Sequence, residues 1–258
     1  MASWNAATLR RCGIARGATA SGEPVLAVVS VEALADLAAF PRQARLSQWL
    51  SIDAVVNVPA DSAKVVLLGP RGRPRRVLTS LSDGRVLSRF ALDQPGRWLV
   101  QVLANLESGP EPLLEAELFV DMPPPKKERA EESVKEGKDG LFGLLNRARR
   151  AEGLPRLQRD AALDDLARAH ALAMMRAGRV AHDVGRGGPD ERVEQAGADV
   201  ARVGENLARA PTVTRLHRAL WDSPSHRDNM LDPAFDRVGI AITKDGSGRL
   251  WAVQLFAR

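Results

Sequence analysis

Residues 221–231 read WDSPSHRDNML. In this stretch Ser223 precedes Pro224, and a serine N-cap followed by a proline at the first helical position is a favoured start for a helix. The order predicts a helix that begins after Ser223 and carries His226 in its first turn. The positive end of a helix dipole disfavours a charged imidazole, so we expect His226 to be neutral. A neutral imidazole can ligate a metal ion or accept a proton.

Two more groups of the same chemistry lie upstream. Glu205 stands in the segment Gly204-Glu205-Asn206-Leu207, and His182 follows a long apolar-periodic segment. Their separations from each other and from His226 match no local metal motif, so spacing alone does not bring the three together. For each residue taken singly, a capping or structural hydrogen bond is the alternative to a functional role.

The other two histidines have structural interpretations. His170 lies one turn after Leu166 on the apolar face of the long segment, which predicts a buried structural histidine. His217 precedes Trp221 by four residues, so we expect the two rings to pack together.

The C-terminal half has mainly helical periodicity. Apolar residues start one amphipathic segment at Leu141, and a longer one runs from Leu163 to Ala177 and ends at Gly178. A shorter helix is predicted from Thr212 to Trp221. Two closing strands, from Arg237 to Thr243 and from Leu250 to Phe256, are joined by a turn with an Asp-Gly pair, which predicts a hairpin. This half is therefore mixed α and β.

Read in order, these segments resemble the CAP superfamily: the cysteine-rich secretory proteins, antigen 5 and plant pathogenesis-related proteins, also called SCP domains. The resemblance is to its bacterial branch and covers about residues 141–258. The stretches that carry it are Leu145-Asn146-Arg147, Gly153-Leu154-Pro155, Leu157, Leu163, Ala167, His170-Ala171, Met174, His182, Gly204-Glu205-Asn206-Leu207-Ala208, residues 221–231, Phe235, Val238-Gly239 and Trp251-Ala252-Val253-Gln254-Leu255-Phe256.

This resemblance implies an α-β-α sandwich in which helices cover both faces of a central antiparallel sheet. It also implies that His182 and Glu205 converge in a cleft and that His226 is the helix histidine of bacterial members. Eukaryotic members add a second glutamate and a second histidine, at places taken here by Pro224 and Trp251. The cysteines that cross-link many secreted relatives are absent as well, since Cys12 is the only cysteine.

The N-terminal half alternates apolar and polar residues with a period of two, which is typical of half-buried strands. Six or seven short runs separated by Gly, Pro and Asp turns predict an all-β, immunoglobulin-like sandwich. The run of prolines after Met122 and the charged stretch that follows indicate a linker. We therefore predict an N-terminal segment at 1–23, a β-sandwich at 24–121, a linker at 122–140 and the CAP domain at 141–258, an α+β protein as a whole.

Composition narrows the function. The chain has 258 residues, 45% apolar and 27% charged, with a formal net charge of +5. The basic excess is spread out rather than concentrated, which argues against nucleic acid as a partner. No apolar run is long enough to span a membrane, and the first residues lack the apolar core of a signal peptide. Phosphate-loop, dinucleotide, HExxH and GxSxG signatures are absent.

The leading hypothesis is a secreted or envelope-associated bacterial protein that binds a small apolar ligand, a lipid or sterol-like molecule, or an envelope component, through the CAP cleft. This location and this ligand class rest on the resemblance, and we lean away from an enzyme. A rival hypothesis is a metal-dependent hydrolase or peptidase in which His182, Glu205 and His226 hold Zn²⁺ or another divalent ion, or in which Glu205 is the general base. A third hypothesis makes the β-sandwich the surface that recognises a partner.

Overall fold

The computed structural model describes residues 10–106, 109–125, 135–198 and 200–258. The chain divides into two compact units, with the main division at Pro124. None of the helices in the described ranges is both long and apolar enough to cross a membrane.

The N-terminal unit is built from strands. In chain order they are β1 (Arg10–Ala18), β2 (Pro24–Glu32), β3 (Ala35–Leu37), β4 (Gln43–Ala44), β5 (Trp49–Val56), β6 (Ser62–Leu68), β7 (Arg75–Val77), β8 (Thr79–Ser82), β9 (Arg85–Ala91), β10 (Gly96–Leu106) and β11 (Gly109–Val120).

Strands β3 to β11 form two sheets with a common core. One sheet has the order β3-β5-β9-β8 and the other the order β4-β11-β10-β6-β7. Alternate residues of β5, among them Ile52 and Ala54, are buried against Val65, Leu67 and Val100 of the second sheet. The period of two therefore gives each strand one core face, as the sequence predicts.

Two details of this unit differ from the sequence prediction. The stretch from Arg76 to Ser80, one of the short runs between turns in the sequence, belongs to two short strands, because the chain leaves one sheet and enters the other at Leu78. The apolar run after Pro24 pairs with β1 in a separate two-stranded hairpin. This places β1 inside the segment predicted to precede the sandwich.

The C-terminal unit mixes helices and strands. They are α1 (Gly137–Ala151), β12 (Gln158–Arg159), α2 (Ala161–Ala177), α3 (Pro189–Gln195), β13 (Val203–Ala210), α4 (Val213–Trp221), α5 (Pro224–Met230), β14 (Arg237–Lys244) and β15 (Leu250–Ala257). Helix α1 begins four residues before the predicted start at Leu141, so the end of the predicted linker is helical.

A central sheet with the order β12-β14-β15-β13 separates two layers of helices. Even-numbered residues of β15, such as Ala252 and Phe256, face α1, α4 and α5. Odd-numbered residues, such as Trp251 and Val253, face α2 and α3. Because both faces of β15 are buried, its sequence is almost uninterrupted in apolar residues. The expected α-β-α arrangement is confirmed.

The helix ends follow the sequence signals in part. Asp160 caps α2 by accepting from the N–H groups of Ala162 and Leu163, and Gly178 ends it in the left-handed conformation with φ of 68°. Thr212 caps α4 in the same way. At α5, Pro224 occupies the first turn as predicted, but the Ser223 hydroxyl makes no capping hydrogen bond.

Candidate functional site

Strand β13 places two adjacent polar residues on opposite faces of the central sheet. Glu205 points to the layer of α2 and α3, and Asn206 points to the layer of α5. The two residues are 5% and 0% exposed, so neither side chain is solvated and each must find partners inside the protein.

Glu205 lies among three basic side chains. One carboxylate oxygen, Oε1, is 2.8 Å from His182 Nδ1, and the other, Oε2, accepts a hydrogen bond from Arg192. His170 Nε2 is 3.8 Å from Oε1 and 3.0 Å from the carbonyl oxygen of Ala181. The prediction that His170 is buried is confirmed, and its ring also belongs to the surroundings of Glu205.

The burial of this cluster is uneven. The side chains of Glu205 and His170 are 1% exposed and that of Arg192 is 8% exposed, whereas the His182 side chain is 55% exposed. A carboxylate can only accept, so His182 donates through Nδ1, and in the neutral ring Nε2 is then an acceptor on the open side. The buried ion pair thus holds an imidazole that faces solvent.

Arg192 also fixes the backbone that carries His182. Its Nη1 group donates to the carbonyl oxygens of His182 and Gly187, each at 2.6 Å. Between these two points, the Asp183 carboxylate accepts from the N–H groups of residues 185, 186 and 187, and these hydrogen bonds lower its pKa. Arg192 therefore positions both members of the His182–Glu205 pair.

His226 lies on the first turn of α5 and is half-buried. Burial lowers its pKa to about 4, and the charge of nearby His182 contributes in the same direction. This lowered pKa supports the neutral imidazole expected from the sequence. Its main cause is burial, however, whereas the sequence analysis attributed the neutral state to the helix dipole. Both histidines are linked to adjacent residues of β13, since the His182 ring contacts Glu205 and the carbonyl oxygen of His226 accepts a hydrogen bond from Asn206.

A chain of side-chain amides ties α5 to β13. Asn206 Nδ2 donates to the carbonyl oxygen of His226 at 2.9 Å and to Gln254 Oε1 at 3.1 Å. Asn229 Nδ2 donates to Asn206 Oδ1 at 3.0 Å and to the carbonyl oxygen of Glu205 at 3.3 Å. These bonds connect the backbones of Glu205 and His226, so the amides set the position of one relative to the other.

Three residues discussed at the sequence level lie outside this cluster. His217 stacks on Trp221 with ring centroids 6.3 Å apart, and its pKa is lowered to about 4 by burial. Trp251 is buried on the face toward α2 and donates through Nε1 to Asp245 at 2.8 Å. Pro224 is buried at the start of α5.

The donor set does not fit a three-ligand metal site in this arrangement. Within the described ranges, no three His, Cys, Asp or Glu side chains are grouped so that they can hold a metal ion. Both oxygens of Glu205 already have basic partners, and a divalent cation at Oε2 would meet the guanidinium charge of Arg192.

Sequence reasoning missed Arg192 and assigned no role to Asn206, Asn229 and Gln254. Arg192 follows two acidic residues, and nothing in the sequence distinguishes it from an arginine on a solvent-exposed surface. The two asparagines stand in the stretches that carried the family resemblance, and that is the one signal that pointed to them.

A family model described as the cysteine-rich secretory protein family, CAP, matches residues 142–256. A curated protein from Bacillus subtilis, the uncharacterized protein YkwD, is 29% identical over 131 residues, which are 50% of this chain and 50% of that protein. The chain thus spans about half the length of this curated relative.

Two solved structures illustrate the structural comparison. An outer surface protein from Borrelia burgdorferi is 22% identical, with a TM-score of 0.44 over 46% of this chain and 89% of that one. An extracellular protein containing a SCP domain from Bacillus anthracis is 16% identical, with a TM-score of 0.43 over 86% of this chain and 88% of that one.

Proposed function

The chain is a bacterial member of the CAP superfamily, and from that premise we propose that it is a secreted or envelope-associated protein that binds a ligand at His182 and His226. The ligand is a small apolar molecule with a polar head, such as a lipid, or a component of the envelope. The polar head meets the two imidazoles.

One observation carries the proposal: the solvent-facing imidazole is held by a carboxylate that has no free oxygen. Glu205 is buried and both of its oxygens have basic partners, so its chemistry is directed inward, toward His182 and Arg192. A general base needs an oxygen within reach of the proton that it removes. The arrangement supports recognition by hydrogen bonds rather than proton abstraction by Glu205.

The two imidazoles suit an uncharged or weakly charged polar group. His226 is neutral near pH 7, and His182 offers Nε2 to the open side. A hydroxyl or a protonated carboxyl group can donate to one ring and accept from the other. Val180, two residues before His182, is 43% exposed and supplies apolar surface close to the same turn.

The test is ligand retention. The purified chain is extracted with organic solvent, and the extract is compared by mass spectrometry with extracts of His182→Ala and His226→Ala. We expect bound lipid in the wild type and at least about a tenfold loss in either variant, the size of one lost polar contact of about 1.4 kcal/mol. Arg186→Ala, an exposed change in the same turn, is the control and is expected to retain the ligand.

An extract without lipid, together with no uptake from offered lipid vesicles, would contradict the apolar-ligand proposal. Equal retention by wild type and both histidine variants would place the ligand elsewhere on the chain. The metal-dependent alternative has its own readout: calorimetric titration with Zn²⁺. Tight one-to-one binding that both variants lose would favour that alternative and call for a search for hydrolysis.

The N-terminal unit supports the third hypothesis only as a scaffold for recognition. The order β3-β5-β9-β8 opposite β4-β11-β10-β6-β7 agrees with the immunoglobulin-like arrangement, in which a four-stranded sheet opposes a sheet that contains the last two strands. This agreement supports the proposed fold class of the unit, but a fold class does not identify a binding partner.

A further inference from the structure

The N-terminal hairpin, formed by β1 and β2, has apolar side chains on both faces, and no residue of the described ranges covers either face. Every residue from Cys12 to Ser30 is exposed. The large apolar members reach high values for a folded chain: Ile14 70%, Val25 45%, Leu26 59%, Val28 60% and Val29 60%. Within the described ranges no third strand joins the hairpin. A two-stranded hairpin alone is marginally stable in water, so this one needs a partner.

The pairing register separates the two faces. Ile14 lies opposite Val28, and Arg16 lies opposite Leu26, which gives one face with large side chains. On the other face Gly13, Ala15 and Gly17 lie opposite Val29, Ala27 and Val25, which makes that face flat. A flat face of small residues allows a second sheet to approach closely.

A second uncovered apolar surface lies in the same unit, on the sheet β3-β5-β9-β8. Since Leu50, Ile52 and Phe90 point into the core, their neighbours point outward. The outer face of this sheet is defined by Trp49, Ser51, Asp53, Val55, Ser80, Arg85, Leu87 and Arg89. Trp49 is 62% exposed, Val55 50% and Leu87 45%.

The charged residues of the outer face already have partners within that face. Arg85 binds Asp53 through two nitrogens at 2.7 and 2.6 Å, and the Arg89 guanidinium lies 4.8 Å from the centre of the Trp49 ring. An exposed tryptophan held by an arginine, with aliphatic neighbours, has the composition of a protein interface. This face is therefore more complementary to an apolar surface than to a charged one.

Lipid does not satisfy the hairpin. Each outer edge of a two-stranded ribbon leaves backbone N–H and C=O groups unpaired, and hydrocarbon offers them no partner.

The sheet β3-β5-β9-β8 of the same chain is also disfavoured as the partner of the hairpin. Only Ala33 and Leu34 connect β2 to β3, and their carbonyl oxygens accept hydrogen bonds from Asn57 at 3.1 and 2.9 Å. These bonds fix the direction in which the hairpin leaves the sheet.

We propose that the hairpin of one copy packs on the outer face of a second copy, in a two-fold dimer whose two hairpins also meet through their flat faces. This arrangement covers both faces of each hairpin. It does not involve the ligand site and stands independently of it.

The areas agree with such a dimer. A nine-residue ribbon of two strands presents about 300 Å² on each face, so one contact buries about 600 Å² in total. A single contact of this size is below that of a stable interface. The three contacts of the two-fold arrangement bury about 1,800 Å², within the range of standard interfaces.

The first test is the mass of the full chain in solution, measured by sedimentation under reducing conditions over a range of concentrations. We expect a dimer, and at least about a tenfold weaker association for Ile14→Arg on the hairpin and for Leu87→Arg on the outer face. Met122→Arg is the matched control, since Met122 is 41% exposed and belongs to neither surface. A monomer at every concentration overturns the proposal, as does a dimer that all three variants preserve.

The second test identifies the contact. Cys12 is the only cysteine and lies on the hairpin face of Ile14, so S51C or S80C on the outer face supplies one defined partner thiol. With oxidised glutathione we expect a covalent dimer in these variants, well above the level of wild type and of the control S225C. A monomer without free thiols would show that the hairpin covers its own sheet and would overturn the proposal. Dimer levels equal to the controls would overturn it as well.

Discussion

Arg192 and Glu205 form an ion pair in which both side chains are buried, and the same guanidinium holds the backbone of His182. Charges taken out of water are costly unless each is paired and hydrogen-bonded. Here the second carboxylate oxygen has His182 as partner, so the anion is satisfied on both sides.

We therefore expect Arg192→Met to lower the free energy of unfolding by about 3–5 kcal/mol, because it leaves the Glu205 carboxylate buried without its cation. The double variant Arg192→Met/Glu205→Gln removes that uncompensated charge and is expected to recover part of the loss. Urea unfolding of the single and double variants measures both. If the double variant is as unstable as the sum of the two single variants, the two side chains are not coupled.

The electrostatic relationship between His182 and His226 gives a prediction about protonation. Burial and the charge of His182 both lower the pKa of His226, to about 4. Removing the second influence with His182→Ala should raise this pKa toward the ordinary value of 6.5, while burial keeps it below that value. NMR titration of the imidazole resonances measures the change, and an unchanged or lower pKa would contradict the proximity of the two rings.

The same pKa fixes the sign of a stability effect. The unfolded chain binds a proton at His226 near pH 6.5, and the folded chain binds it only near pH 4. Between these values the unfolded state holds more protons, so this residue contributes a loss of stability as the pH falls from about 6.5 to about 4 and none above that range. His226→Gln should show a shallower decline than the wild type in unfolding experiments over this interval.

The sequence was sufficient for the features that depend on near neighbours. The period of 3.6 places Leu163, Ala167 and Met174 on one face of α2, and Gly178 ends that helix because glycine accepts the left-handed conformation. The hairpin of β14 and β15 follows from its Asp-Gly turn in the same local way. These features require no knowledge of what packs against them.

The site was less predictable because its contacts join distant elements. Arg192 reaches Glu205 only because α3 packs on the same face of β13, and no local spacing encodes that packing. The convergence of His182 with Glu205 came from the family resemblance. Likewise, the separation of β7 from β8 at Leu78 depends on which sheet offers the next free edge.

The amide chain between β13 and α5 is expected to be sensitive to any change at Asn206. Asn206 is completely buried and donates to His226 and Gln254 while accepting from Asn229. Asn206→Ala removes three hydrogen bonds from buried groups, and we expect a loss of about 2–4 kcal/mol in the free energy of unfolding. Asn206→Asp should be worse at neutral pH, because a carboxylate cannot donate to two oxygen acceptors. Equal stability of the alanine and aspartate variants in urea would contradict this role.

Gly239 provides a last prediction, one that depends on close packing rather than on charge. Strand β14 passes so near to α2 that a Cβ at this position would lie 2.5 Å from the Asp164 nitrogen, and closer still to the carbonyl group of Leu163. These are backbone atoms, so they cannot rotate away as a side chain does. Gly239→Ala should therefore force β14 and α2 apart and lower the free energy of unfolding by about 2–3 kcal/mol.

Gly143→Ala is the matched control. Gly143 lies within α1, and a Cβ there meets nothing within 4 Å. Because alanine favours a helix over glycine, we expect this variant to raise the free energy of unfolding by about 0.5–1 kcal/mol. Thermal unfolding of the two variants should shift the midpoint in opposite directions, and a tolerated alanine at residue 239 would mean that helix and strand are not packed this closely.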